Sequence, residues 1–194
     1  MPRTPEENDR IRQASKEKIR AAAMELFMKQ GYYATSISDI ANKAGISKGL
    51  LYNYYKGKEE LLAEMVEARI KEVVEVMEEA FTLNTPREQL EHIVNGAIDN
   101  ILKKPEVHRF YLHLQTHPEA DDELIKYSHL IIEENARQFE FQCKLFESMG
   151  EKEPRKRSLY FSSVLQGIML MISTYQQGFS VEAIRNQIIR EFCN

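Results

Sequence analysis

The sequence predicts an all-α protein with an N-terminal three-helix head holding a helix-turn-helix, joined by a long fourth helix to a C-terminal helical domain, about nine helices in all. Three observations lead there. Among 194 residues there are only 8 Gly, 6 Pro and no Trp, and the good helix formers Glu, Lys, Leu, Ile, Ala and Met dominate. Apolar residues recur at spacings of three and four along most of the chain, with none of the strict alternation of strands. Where that spacing lapses, a Gly, a Pro or a Ser/Thr cap marks the boundary.

Taken in order, Ile19, Ala22, Ala23, Leu26 and Phe27 form one face of a first helix that stops at Gly31. Residues 1–14, polar almost throughout, are expected as a flexible arm. Ser36 caps a second helix, Asp39 returns the bond, and Ile37, Ile40, Ala41 and Ala44 mark two turns that Gly45 ends. Ser47 caps a third short helix, which turns Leu51 and Tyr55 inward. Gly57 breaks the chain, and from Lys58 a helix of ~24 residues spans about 36 Å, long enough to link one module to another. It carries Leu61, Leu62, Met65, Val66, Ile70, Val73, Val74, Met77 and Phe81. Thr85-Pro86-Arg87-Glu88 combines cap, first-turn proline and capping-box glutamate for a fifth helix. Pro105 and Pro118 open two more, the second with Tyr127, Ser128, Ile131, Phe139, Cys143 and Phe146 on its inner side. Pro154 precedes a helix that is apolar nearly all round, and Ser180 caps the last, with Val181, Ile184, Ile188, Ile189 and Phe192.

The net charge of −4 conceals an asymmetry. Residues 1–60 hold eleven Lys and Arg against eight Asp and Glu, net +3; the remainder hold fifteen against twenty-two, net −7. A basic head on an acidic body suits a protein that touches phosphate with one end. No run approaches the ~18 apolar residues of a membrane span, and the polar start lacks a signal pattern, so a cytoplasmic protein with no membrane partner is expected. Cys143 and Cys193 are isolated and expected as free thiols. No phosphate loop, paired-carboxylate signature or nucleophile motif occurs, so neither enzyme activity nor a cofactor is expected. His113 and His117 lie at i, i+4, with His108 and His129 near in sequence. Pro118 makes His117 a helix cap, however, and no metal site is expected.

Two short helices joined at Gly45 and braced by longer ones are the arrangement that lays the second in a DNA major groove. The identities carry more than the spacing. Leu26-Phe27, Gly31-Tyr32, Ala34-Thr35-Ser36-Ile37, Ile40-Ala41, Ala44-Gly45-Ile46-Ser47-Lys48-Gly49, Leu51-Tyr52-Asn53-Tyr54-Tyr55 and Lys58-Glu59-Glu60-Leu61 together resemble the TetR family of bacterial transcription regulators. The resemblance covers residues 16–62; beyond it, only length, helix count and a hydrophobic final pair of helices agree. It implies a sequence-specific DNA-binding transcription regulator, a homodimeric repressor released from a palindromic double-stranded operator by a small amphipathic or hydrophobic effector. It also implies residues 1–57 as DNA-binding domain and 58–194 as ligand-binding and dimerisation domain. A helical protein-interaction adaptor without ligand response is the alternative, and salt-dependent binding to duplex DNA separates the two.

Lys48 and Gly49 fall in the first turn of the third helix, where the helix dipole favours the anionic backbone and the missing side chain lets the helix approach base edges. The resemblance implies DNA contacts at both, and at Tyr52 and Tyr54, whose hydroxyls reach phosphate while the rings pack on sugars and thymine methyls. Tyr54 is often His in the family. Thr35, Ser36 and Lys58 resemble the family's phosphate clamps. Leu50 and Asn53 stand where the family varies and are candidates for direct readout, Asn53 of adenine and Leu50 of a thymine methyl. In the body, Ile98, Phe110, His113, Leu114, Tyr127, Ile131, Phe139 and Gln166 are expected to line an effector pocket. The last two helices offer more apolar surface than one hairpin buries. Leu159, Ser163, Gly167, Leu170, Ile184, Ile188 and Phe192 are therefore expected at a four-helix dimer interface.

Overall fold

Side-chain caps decide where the helices begin. The computed structural model describes residues 4–116, 122–175 and 178–193, among which the helices are α1 (Pro5–Gln30), α2 (Ile37–Ala44), α3 (Lys48–Tyr52), α4 (Lys58–Phe81), α5 (Pro86–Lys103), α6 (Pro105–Thr116), α7 (Asp122–Ser148), α8 (Pro154–Thr174) and α9 (Val181–Phe192). No strand occurs among these residues. Thr4, Ser36 and Thr85 each accept a bond from the N–H three residues on, while Glu7, Asp39 and Glu88 return one to the capping residue's own N–H. Ser47 and Ser180 cap α3 and α9. Gly45 ends α2 in the left-handed conformation at φ 69° and sends its N–H back to the Ala41 carbonyl, which makes the turn between α2 and α3 tight. His117 and Pro118 lie outside the described residues.

The expected flexible arm is corrected. Residues 5–14 are the first turns of α1, started by the Thr4–Glu7 capping box with Pro5 in the first turn, and no glycine interrupts them.

The chain forms two compact units, residues 1–68 and 69–194. The expected boundary stood before Lys58; the units divide instead inside α4. Leu61, Leu62, Met65 and Val66 are buried, and the Glu64 carboxylate accepts from the Tyr55 hydroxyl at 2.7 Å and from the Lys16 ammonium at 2.5 Å. Those bonds bind the first turns of α4 into the head. The head's core is completed by Ile19, Ala23, Phe27, Ile40, Leu51 and Tyr55.

The core of the second unit joins Met77 and Ala80 of α4, Leu90, Val94 and Ile98 of α5, Leu145 and Phe146 of α7, Phe161 and Leu165 of α8 and Ile188 and Phe192 of α9. Phe146, Phe161 and Phe192 meet edge to face with centroids 5.1 to 6.3 Å apart. Ile188 and Phe192 were expected at a dimer interface; they fill this core, and Ile184 packs against it. A 3.6-residue period marks a buried face but not whose surface buries it. Polar ties hold the rim: the Arg185 guanidinium donates to Asn95 and Asp99, and Arg157 to the Glu191 side chain and carbonyl. Both cysteines are free and buried. Burial, helped by Glu91, pushes the Cys193 thiol up to about 12, so it stays protonated.

At Gly96, α5 lies close against α4: a Cβ there would lie 2.8 Å from Val76 Cγ1. Ala is better than Gly inside a helix by about 1 kcal/mol, but forcing a methyl into a filled contact costs about 1–3 kcal/mol, and Val76 is branched and stiff. Gly96→Ala should therefore lower the urea midpoint of unfolding. Combining it with Val76→Ala should recover part of that loss, a coupling absent if the helices simply part.

Candidate DNA-binding surface

The head presents α3 outward. Lys48, Gly49, Leu50, Tyr52 and Asn53 are exposed, whereas Leu51 and Tyr55 are buried beneath them, so the five-residue helix is held by one leucine and the tyrosine that follows it. Asn53 closes α3, its N–H bonding the Leu50 and Leu51 carbonyls, and leaves its amide on the surface. The Lys48 ammonium lies 5.9 Å over the Tyr52 ring. A Cβ on Gly49 would meet nothing within 4 Å; nothing in the chain itself calls for glycine there.

Half-buried Tyr54 carries the Arg12 guanidinium 5.6 Å above its ring. Arg12 stands on the helical N-terminal part of α1, which places its exposed cation beside Tyr54. Sequence reading placed it on a loose arm. Its missed signal was Thr4-Pro5-Glu6-Glu7, a start motif as complete as that of α5.

The three expected phosphate clamps all have partners within the chain. Thr35 is 1% exposed; its hydroxyl donates to the Gly31 carbonyl at 2.8 Å and accepts from Gln30 at 3.3 Å, so its side chain serves the loop before α2. The Ser36 hydroxyl donates to Asp39 at 2.6 Å, which leaves its proton spent and a carboxylate at the start of α2. Those bonds from Ser36 hold the Asp39 carboxyl below its usual range. The Lys58 ammonium donates to the carbonyls of Tyr32 at 2.9 Å, Tyr33 at 3.2 Å and Thr35 at 3.3 Å. Its three protons are all committed, and it sits 4.4 Å over the Tyr32 ring. Exposed Tyr33 stands beside these groups. Sequence reading passed over it, although of two adjacent tyrosines before a helix only one can face the core.

Behind α3, burial first raises the Glu64 carboxyl, but hydrogen bonds from Lys16 and Tyr55, with Arg20 alongside, outweigh that and hold it below its ordinary value. Burial and the bond to Glu64 push the Tyr55 hydroxyl well above its ordinary value. The pair is thus a carboxylate and a protonated phenol.

In the second unit the expected pocket residues separate. Ile98, Phe110, Leu114, Tyr127 and Ile131 are buried, Phe139 is half-buried under the Arg155 guanidinium at 5.2 Å, and His113 and Gln166 are exposed. The inner face of α6 is Phe110, Tyr111 and Leu114, which turns His113 outward; that of α8 is Ser158, Phe161, Leu165 and Ile172, which turns Gln166 outward. On α7, buried Gln142 accepts from Ser162 at 2.7 Å and half-buried Asn135 donates to Gln115 at 3.1 Å. A groove of about 560 Å³ opens elsewhere, between α4, α5 and the start of α6. None of the eight expected residues lines it. Among the described residues no group of three or more His, Cys, Asp or Glu is placed to hold a metal.

The outward face of α8 carries Leu159, Ser163, Gln166, Gly167 and Leu170, all exposed. Leu159 is 61% exposed, and a Cβ on Gly167 would meet nothing within 4 Å.

The family of bacterial regulatory proteins named tetR matches residues 19–65, from within α1 to the first turns of α4. Over these residues the chain is similar to the TetR family. The fatty acid metabolism regulator protein of Bacillus subtilis is 36% identical over 58 residues, 30% of this chain and 30% of that one. The curated relatives are thus matched over less than half of their own length. In fold the likeness extends much further. A TetR-like transcriptional regulator from Rhodococcus superposes with a TM-score of 0.72 at 23% identity, covering 90% of this chain and 91% of that one. FadR from Bacillus subtilis, solved in complex with stearoyl-CoA, does so with a TM-score of 0.65 at 18% identity, covering 92% and 97%. The matched residues hold the helix-turn-helix of α2 and α3.

Lys58→Met tests the corrected role of that lysine. Removing a cation that satisfies three carbonyls should destabilise the protein by about 1.5–3 kcal/mol in the absence of DNA, read as a lower thermal midpoint. A residue that merely touched phosphate would leave that midpoint in place.

Proposed function

We propose that this regulator is a homodimeric cytoplasmic repressor whose two heads grip a palindromic operator and are released when a small amphipathic effector binds the helical body. One observation carries the DNA-reading part: α3 presents a flat, open glycine at Gly49 between the exposed cation Lys48 and the exposed Leu50, a surface that makes sense only against something outside the chain. On this reading Lys48, Leu50 and Asn53 face base edges, and Gly49 lets α3 come close. Tyr52 and Tyr54, with Arg12 beside Tyr54, lie along phosphates; Ser36 offers the start of α2. Thr35 and Lys58 shape the surface rather than touch DNA.

A dimer is supported by the same logic at α8. Leu159, Ser163, Gly167 and Leu170 make an exposed strip whose central glycine has no use within one protomer, and close helix approach by a second copy gives it one. Two heads then read two half-sites, and linked binding multiplies affinity. The effector is supported by the relatives: one regulates fatty acid metabolism and one binds stearoyl-CoA. An effector that weakens DNA binding by some factor must itself be bound more weakly by the DNA complex by the same factor.

Three experiments test the proposal. Gly49→Ala should leave the protein as stable or up to about 1 kcal/mol more stable, yet lower its affinity for operator duplex, selected from random sequence by the wild type, at least about tenfold by anisotropy. Undiminished affinity would remove α3 from the interface. Wild-type binding should also fall linearly in log K against log salt. Leu159→Asp with Leu170→Asp should convert a dimer into a monomer by light scattering; a wild-type monomer at micromolar concentration sinks the dimer.

A further inference from the structure

The groove between α4, α5 and the start of α6 is polar, and its charges are unevenly paired. Each of its carboxylates has a partner: Glu79 meets His92 at 3.2 Å, Asp99 meets Arg185 at 2.5 Å, Glu75 meets Lys71 at 3.7 Å and Glu72 meets Arg69 at 3.4 Å. The cations are not equally engaged. Arg69 keeps only 17% of its side chain exposed, and among the described residues its sole hydrogen bond is the long one to Glu72, itself half-exposed. A guanidinium has five N–H donors. Lys103 and Lys104, on the same wall, make no side-chain hydrogen bond or ion pair among the described residues.

His108 lies against Arg69 in this groove. Burial, together with the Arg69 charge, pushes its imidazole down to about 4, so at neutral pH it is an uncharged ring offering one donor and one acceptor. Val76, Ile101 and Val107 supply an apolar wall, and Gly96 lets α5 come close to Val76 beside them. The Arg69 guanidinium makes one long bond, which leaves donors that an anion in the groove can take up as charge-assisted hydrogen bonds.

We infer that this groove binds an anionic small molecule through a carboxylate or phosphate held by Arg69, with Lys103 and Lys104 at the rim, His108 as neutral hydrogen-bond partner, and the molecule's apolar part against Val76, Ile101 and Val107. The inference rests on the body's being an effector domain and assigns the effector its charge and the end of the site that receives it. The site shares none of the residues Ile98, Phe110, His113, Leu114, Tyr127, Ile131, Phe139 and Gln166 that the sequence suggests for a pocket.

The test uses the full-length protein and four ten-carbon probes: decanoate, decyl phosphate, decanol and decyltrimethylammonium. Calorimetry measures binding, and anisotropy on the same samples measures release of operator duplex. At least one of the two anions should bind, identifying the head group, and neither the alcohol nor the cation should. Arg69→Gln should weaken that binding about tenfold or more, as expected for loss of charge-assisted hydrogen bonds. Lys103→Gln with Lys104→Gln, at exposed positions where folding is not at risk, should weaken it a few-fold and decides the matter if the Arg69 variant misfolds. Failure of both anions to bind the wild type overturns the inference, as does binding that these variants leave unchanged. Anion binding without operator release upholds the site and refutes the effector reading. Release by decanol alone upholds the effector reading and refutes the site.

Discussion

The Lys58 ammonium is the contact on which the DNA-facing head depends. Three carbonyls from the loop before α2 converge on one point, an arrangement that a half-buried cation makes favourable and its absence makes repulsive. That loop sets the start of α2, the capped α2 sets the Gly45 turn, and the turn sets the aim of α3. Glu64, two turns further along α4, holds Tyr55 from below. Both ends of the helix-turn-helix are therefore fastened to α4, which is why α4 contributes residues to both compact units and why the head does not end where its sequence motif ends.

Much of this was legible in the sequence because helix caps are local. Thr85-Pro86-Arg87-Glu88, Ser36 with Asp39, and Ser47 announce helix starts within four residues, and the structure places starts there. What escaped was non-local. The charge of Lys58 is visible in the sequence, but the carbonyls it meets are more than twenty residues away, so it read as a free cation awaiting phosphate. Ile184, Ile188 and Phe192 read correctly as a buried face; nothing within a dozen residues could say that Phe146 and Phe161 of the same chain bury it. His113 and Gln166 were chosen for polarity near apolar runs, and the phase of α6 and α8 turned them outward. The helical start at Thr4 was local and readable, and its polar surroundings concealed it.

Glycine shows how sequence and structure divide the work. Gly45, Gly49, Gly96 and Gly167 are the same letter in the sequence. In the structure Gly45 answers a left-handed turn and Gly96 a neighbouring helix, both internal needs. Gly49 and Gly167 answer nothing in the chain. A glycine inside a helix lowers stability, so one without an internal reason points to a surface that meets another molecule. That the two open glycines lie on α3 and on α8, one the expected DNA face and the other the expected dimer face, is the firmest link between this fold and its proposed use.

Energetics constrain what an effector must do. Lowering operator affinity a hundredfold requires about 2.7 kcal/mol of difference between the effector's binding to the DNA-bound and released conformations. Apolar contact alone supplies such a difference poorly, because it depends on area and hardly on direction. A charge-assisted hydrogen bond of about 1.5–3 kcal/mol that depends on donor geometry supplies it readily. Arg69 opens the second unit's share of α4, on the helix whose first turns hold the recognition surface. On the proposed reading, an anion that drew Arg69 away from Glu72 would act through directed bonds on that helix, so a charged end on an otherwise apolar effector is where its leverage on DNA binding would come from.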